Sequence, residues 1–449
     1  MAIVTRYFST TGAGAADGTS WADRAALFQS VITVDSGTWS GTFVIGEQVT
    51  QTGTGATANV VLVGGSGTSF TVSNVAGSPN SSGVWTGAGS GATVTPTTTP
   101  AATTWTSIIT GFAFNGSDSL ECRIGPGSYT CGQALASGLF SNAPTAMNNL
   151  TLIGADSSGV ELEPPDPGWV SCMPEFSTAT FPVIGTTTNI DTLNLAFLNA
   201  RMLRLEATAR NGSITGTSYS GFLNWMYILN STSNTGAFCV GGATGARMAN
   251  SICKCSGTAY SVCLSNQSSF FYNVAAIGNI SATTGARNGF TSTVGSAQNC
   301  FALNHIGNGF QNNSTTVSHF SVFTRCSAVN CDNGFARISS SSSATGVSAF
   351  INCLAVNCTG YGFLAIGNNR ALAIHGRTRD NTFGNATDNF SLDSIYTAGG
   401  TDADEFVDAA NGDYRIKNSS AYWGLGIGAG DEPASGGGVP LIGAGGLVY

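Results

Sequence analysis

One short frame recurs along the second half of this 449-residue chain and limits what it can fold into. It reads Asn-Cys-x-Ala-x-Asn and then Gly-Phe. It is clearest in FINCLAVNCTGYGF, residues 350–363. The same frame appears as NCFALNHIGNGF from Asn299 and as RCSAVNCDNGF from Arg325. Looser copies are ANSICKCSGTAY around Asn250 and YNVAAIGN around Asn273. The starts at 250, 273, 299, 325 and 352 are separated by 23, 26, 26 and 27 residues. FLNWMYILN around Asn224, LNLAFLNARMLRL around Asn194, NNLTLIG near Asn149 and LECRIGPGSYT from Leu120 read as earlier turns.

Each unit is a short alternating segment, a polar turn, then Gly-aromatic and another short apolar segment. Short strands between Gly, Asn and Ser turns, at a period near 26, fit a parallel β-solenoid. A helical repeat needs a 3.6-residue period inside each unit, and none is present. A sandwich has frequent turns but no reason to repeat residue types every 26 positions. Residues 118–395 have room for ~10 coils, a rod of ~50 Å at ~4.8 Å per stacked strand. Composition agrees. Only 9% of residues are charged, so Ser, Thr, Asn and 60 Gly must form the polar surface, and these are poor helix formers. Disorder is excluded by 42% hydrophobic residues and 25 Phe.

Net charge is −8, and the 16 Lys and Arg form no basic run, so nucleic acid is not an expected partner. The start, MAIVTRYFSTTGAGAADGTSW, lacks the apolar core of a secretory signal, and no apolar run is long enough to span a membrane. Synthesis in a cytosol without classical export is expected, and the 12 cysteines read as thiols rather than as a disulfide framework. Cys300, Cys326 and Cys353 share one phase of the repeat, which suits small buried hydrophobes better than metal ligands. Three histidines, no HExxH and no Gly-Lys-Ser/Thr loop give no metal or nucleotide cofactor.

Residues 36–103 differ in texture. QTGTGATANVV from Gln51 echoes in GAGSGATVTPT from Gly87, so that Gly55 and Gly91 correspond. Alternating Val and Thr predict β-strands, and TPTTTPAATT reads as a linker. This small β-module interrupts WADRAALFQS and TWTSIITGF, which otherwise join naturally. It reads either as a surface insertion or as a contact to a neighbouring subunit.

On these motifs the chain resembles right-handed parallel β-helix proteins of the pectate-lyase type. The stretch DGTSWADRAALFQS, residues 17–30, is similar to the N-terminal cap of β-helix proteins among bacteriophage spikes. The tail DAANGDYRIKNSSAYWGLGIGAG and the final VPLIGAGGLVY resemble closing segments of such chains, although Leu441 stands where an acidic residue is usual. The resemblance implies an all-β chain in four parts. These are a cap or attachment segment (1–35), the inserted module and linker (36–103), the β-helix (104–400) and a closing segment (401–449). It also implies a homotrimeric tailspike or fibre in a virion, joined to other virion proteins through its N-terminal region and attached to host polysaccharide.

Candidate sites are few. Polysaccharide hydrolysis needs two carboxylates 5–5.5 or 6.5–9.5 Å apart. No Asp or Glu occurs between residues 207 and 331, and Glu206 and Asp332 are too many coils apart. The loop GADSSGVELEPPDPGWVSCMPEF, residues 154–176, breaks the repeat with Glu161, Glu163, Asp166 and Trp169. It is the glycan-binding candidate, a Trp to stack on a sugar ring beside acids that accept hydroxyls, although a proline-stiffened cover over the side of the helix is the simpler reading. HGRTRDNTFGNATD gathers His375, Arg377, Arg379, Asp380 and Asp388, a second polar cluster best read as a solvated turn with a salt bridge. Trp225 and Tyr227, with Arg201 and Arg204 a coil earlier, line a groove or pack. The expected function is non-enzymatic host attachment. A depolymerase spike (hydrolase or lyase) and a capsid decoration protein without a glycan role are the alternatives.

Overall fold

A computed structural model describes residues 3–10, 18–27, 29–35, 37–44, 47–63, 69–76, 79–96, 102–105, 118–130, 135–136, 149–164, 181–186, 193–194 and 198–207. Further along it describes 212–215, 221–231, 237–244, 247–256, 261–267, 269–279, 288–292, 295–312, 321–338, 347–366, 370–387, 390–392, 395–397, 401–411, 413–420 and 427–428. Among these residues the chain is all-β apart from one turn of α-helix and one of 3-10 helix, and it is a parallel β-solenoid with an antiparallel insertion. No helix is long and apolar enough to cross a membrane. Two compact units are resolved: residues 1–163 with 179–208, and residues 164–178 with 209–449.

In the first unit, Ile3–Ser9 pairs in parallel with Ser119–Ile124, that strand with Leu150–Gly154, and that one with Leu198–Arg201. Leu120, Leu150 and Leu198 stack inward in one buried column. A second parallel ladder joins Ser128–Thr130, Val183–Thr186 and Arg204–Ala207. The coil number differs in detail from the expectation. Leu120 pairs with Leu150 and Leu150 with Leu198, so rungs here are separated by more than one 26-residue repeat.

The insertion is an eight-stranded antiparallel sheet whose ends, Gln29–Asp35 and Ala102–Trp105, pair with each other. The sequence echo is a structural one. Gly55 and Gly91 have φ of +66° and +67°, and their amides donate to the carbonyls of Gln51 and Gly87. In each turn a hydroxyl, of Thr54 or Ser90, accepts from the following Ala amide. Val49, Val60, Val94 and Trp85 fill the core between the strands.

The second unit explains the repeat frame residue by residue. The first Asn is a corner: Asn250, Asn273, Asn299 and Asn352 all have φ between 45° and 54°, with Arg325 at 51° in the same place. The last Asn is a second corner, with Asn304, Asn330 and Asn357 at 53–60°. A left-handed backbone is costly for most side chains, and Asn tolerates it best after Gly. The corner side chains also bond along the stack. Asn250 donates to Asn224 (3.1 Å), Asn273 to Asn250 (2.9 Å) and Asn299 to Asn273 (3.4 Å).

Between the corners lies a three-residue strand such as Leu354–Val356. Its central alanine points inward and meets the glycine of Gly-Phe. A Cβ on Gly334 would lie 2.6 Å from the Ala355 Cβ, and one on Gly309 2.8 Å from the Ala328 Cβ. The phenylalanines form the core. Phe290, Phe310, Phe335 and Phe363 stack with centroids 4.6, 5.0 and 5.1 Å apart and nearly parallel planes. Phe323 and Phe350 make a shorter stack that meets them edge-on. Such pairs are worth about 0.5–1.5 kcal/mol beyond area burial.

Cys300, Cys326 and Cys353 follow the first corner, fully buried, each thiol donating to the carbonyl two residues back. Cys331 and Cys358 follow the second corner, and the residue after Asn304 in that column is His305, also buried. Burial holds the Cys300, Cys331 and Cys353 thiols well above the usual range and pushes Cys358 up to about 12. Cys326 is shifted downward against its burial by hydrogen bonds from the Cys300 and Cys353 thiols, and the column packs as small buried groups.

The end of the described chain turns back along the outside. The helix Asp402–Glu405 leads into the hairpin Phe406–Asp408 and Asp413–Ile416. Phe406, Ile416 and Ile427 cover Leu354 and Val356, and the Gly428 amide donates to the Asn352 carbonyl.

Candidate functional site

Side chains that alternate outward on the first unit's rungs collect charge and aromatic surface. Register places Tyr7, Arg123, Ile153 and Arg201 in one outward column. Beside it, Thr5, Glu121, Thr151 and Asn199 form the next. A tight loop after Gly154 folds over the first column. Asp156 makes it by accepting from the Ser158 and Val160 amides (2.8 and 3.0 Å), and Ala155 bridges Glu161 antiparallel. Glu161 thereby returns to Arg201, which holds both its oxygens at 2.5 and 2.9 Å. That paired guanidinium keeps the Glu161 carboxyl below its ordinary range. Glu121 and Arg123 form a neighbouring pair at 2.9 Å.

The loop tip carries the aromatic part. Gly159 has φ +79°, and a Cβ there would strike the Trp21 indole at 2.7 Å. A Cβ on Gly125 would meet the same ring at 2.4 Å, so Trp21 rests on two glycines. Its ring meets Tyr7 edge-on (6.4 Å, 78°), and the Arg24 guanidinium lies 4.9 Å from its centroid. Arg123 reaches toward Tyr7 (6.0 Å) and donates to the Gly159 carbonyl at 3.4 Å. Trp21, Tyr7, Glu121, Arg123, Glu161 and Arg201 are all half-buried.

This is an aromatic platform flanked by fixed donors and acceptors. It suits a ligand with an apolar ring face and a hydroxylated edge. Glu161 itself is held ionised by Arg201, which suits an acceptor better than a proton donor.

Of the four residues expected to bind glycan, Glu161 lies in this cluster and Glu163 is exposed at its edge, while Asp166 and Trp169 lie outside the described residues. Spacing does not mark Tyr7, Trp21 and Arg123, since the contacts that bring Arg123 to Tyr7 and Gly159 to Trp21 join residues more than a hundred positions apart. The second polar cluster spreads along one strand. His375 and Asp380 are left-handed corners at either end of Gly376–Arg379, both exposed. Arg379 is buried and pairs with Asp380 at 3.2 Å, Arg377 shares the outward column of Leu354, and Asp388 lies outside the described residues. Trp225 and Tyr227 are each 9% exposed and pack. Arg204 is paired with Glu206. Among the described residues no group of three or more His, Cys, Asp or Glu gathers to hold a metal.

No family model matches the sequence, and no curated protein does. Among solved structures, the chain is similar to the catalytic unit of a thermostable GH87 alpha-1,3-glucanase from Streptomyces thermodiastaticus strain HF3-3. The identity is 11%, over 83% of this chain and 87% of that one, with a TM-score of 0.33. It is also similar to a GH87 alpha-1,3-glucanase catalytic domain in complex with nigerose, at 9% identity, 83% and 89% coverage and a TM-score of 0.34. Likeness at this level carries no residue correspondence and no activity.

Proposed function

We propose that this chain is a non-enzymatic attachment protein, a homotrimeric β-solenoid spike or fibre of a bacteriophage virion that binds host surface polysaccharide. The observation that carries the binding reading is the Trp21–Tyr7 platform with its paired Glu161–Arg201 and Glu121–Arg123. The ion pairs hold donors and acceptors at set positions, which fixes the orientation of a sugar stacked on the indole. The lowered Glu161 supports binding over hydrolysis. The resemblance of residues 17–30 to spike caps supports the virion assignment, with the N-terminal region as the attachment to other virion proteins.

A panel of bacterial surface glycans tests the site. Trp21→Ala is expected to lose at least tenfold in affinity for the bound glycan, and Glu161→Gln several-fold. Equal binding by both variants and wild type removes the site. Release of reducing ends or of unsaturated sugars from the bound glycan replaces attachment with depolymerisation. Light scattering that gives a monomer removes the trimer. Immunogold label confined to the head replaces the tailspike with a capsid decoration protein.

A further inference from the structure

Two kinds of cysteine pair occur in the second unit. Cys300, Cys326 and Cys353 are related by one coil, with Cβ atoms projecting side by side from strands about 4.8 Å apart. A disulfide needs Cβ atoms roughly 3.5–4.5 Å apart and converging, so a ladder of this type does not close. Cys239 and Cys255 are different. They stand on two walls of the coil, in the strands Ala237–Thr244 and Arg247–Cys255, and their Sγ atoms approach to 3.6 Å. Both are buried. The Cys239 thiol lies beside the Lys254 carbonyl at 3.4 Å, so its side chain already points at the segment that carries Cys255. Cys253 is held elsewhere, its thiol 3.9 Å from the Met248 sulfur.

We propose that Cys239 and Cys255 form an intramolecular disulfide when the chain meets an oxidising environment, a staple across the interior of one coil. Two S–H bonds break and one S–S bond forms. The S–S bond of a low-molecular-weight disulfide breaks in exchange, and the two protons and two electrons given up by the cysteines leave on its two thiols. Exchange takes place as the coil closes, before packing seals both sulfurs from solvent. In a reducing cytosol the pair stays as thiols.

The test refolds the full chain in a glutathione redox buffer and, in parallel, in dithiothreitol. Intact mass is expected to be two hydrogens lower in the first. Trypsin cleaves after Arg247 and Lys254, which puts Cys239, Cys253 and Cys255 on three separate peptides. The expected product joins the peptide ending at Arg247 to the one beginning at Cys255, and it disappears on reduction. Because the latter also contains Cys263, the map is repeated in Cys263→Ser, where the link persists, and in Cys255→Ser, where it is lost. If either variant fails to fold, fragmentation of the linked wild-type peptide assigns the bond to Cys255 or to Cys263. No mass change, or a link through Cys253, Cys263 or the ladder cysteines, overturns the proposal.

Discussion

Substituting Gly334 by alanine tests the meaning of the repeat frame most directly. The new Cβ would lie 2.6 Å from the Ala355 Cβ and 2.7 Å from the Gly362 carbonyl oxygen, both well inside contact distance. Overpacking of this kind costs about 1–3 kcal/mol. Loss of glycine's freedom in the unfolded chain returns about 0.4–1 kcal/mol. A net loss near 1–2 kcal/mol is expected. Ala355→Gly alone loses one buried methyl, about 0.8 kcal/mol, and adds a strand glycine, about 0.5–1 kcal/mol. The double variant relieves the Cβ–Cβ clash but not the one with the carbonyl. It should therefore be more stable than the sum of the singles by at least about 0.5 kcal/mol, the size of coupling between residues in contact. Urea unfolding followed by circular dichroism at constant slope measures this. Additivity within about 0.3 kcal/mol would refute the claim that the Ala of the frame exists to meet the Gly.

Other outcomes follow from the same contacts. Asn273→Ala should cost about 1–2 kcal/mol for the left-handed corner plus its bonds to Asn250 and Asn299, and Asn273→Gly should cost less than Ala. Equal cost for both in chemical denaturation would place the effect in the side chain alone. Because the folded pKa of Glu161 is depressed, its contribution is present above the unfolded value of about 4.3 and is lost as pH falls through the folded one. Glu161→Gln should thus lose roughly 0.2–1 kcal/mol at pH 7 and converge with wild type in acid, as melts across pH will show. Glu405 has the opposite sign. Burial beneath the C-terminal hairpin raises it, so its stabilising contribution is complete in acid and lost as pH rises through the folded pKa. Glu405→Gln, which keeps an acceptor for Ser420, should melt higher than wild type at pH 7.5 and level with it near pH 4. A variant that melts lower only at the higher pH contradicts that sign.

Sequence alone determined the coil of the second unit to a useful depth. Each position of Asn-Cys-x-Ala-x-Asn and Gly-Phe answers a local demand: a left-handed corner, a small buried thiol, an inward methyl, a gap for it and a ring to stack. Such demands recur every coil, so a period near 26 exposes them in a single sequence. The internal echo of Gly55 and Gly91 was legible for the same reason, because each turn closes within five residues. The outward face of the first unit was not legible. Tyr7 and Arg123 are neighbours only because the insertion lies between the first two rungs, and Glu161 reaches Arg201 only because Asp156 turns the chain back. Nor did spacing reveal that Cys239 faces Cys255 across the coil, while the Cys300, Cys326 and Cys353 thiols hydrogen-bond along the stack. A repeated local constraint leaves a periodic trace in the chain, whereas a contact made once, by register between distant strands, leaves none until the tertiary structure sets that register.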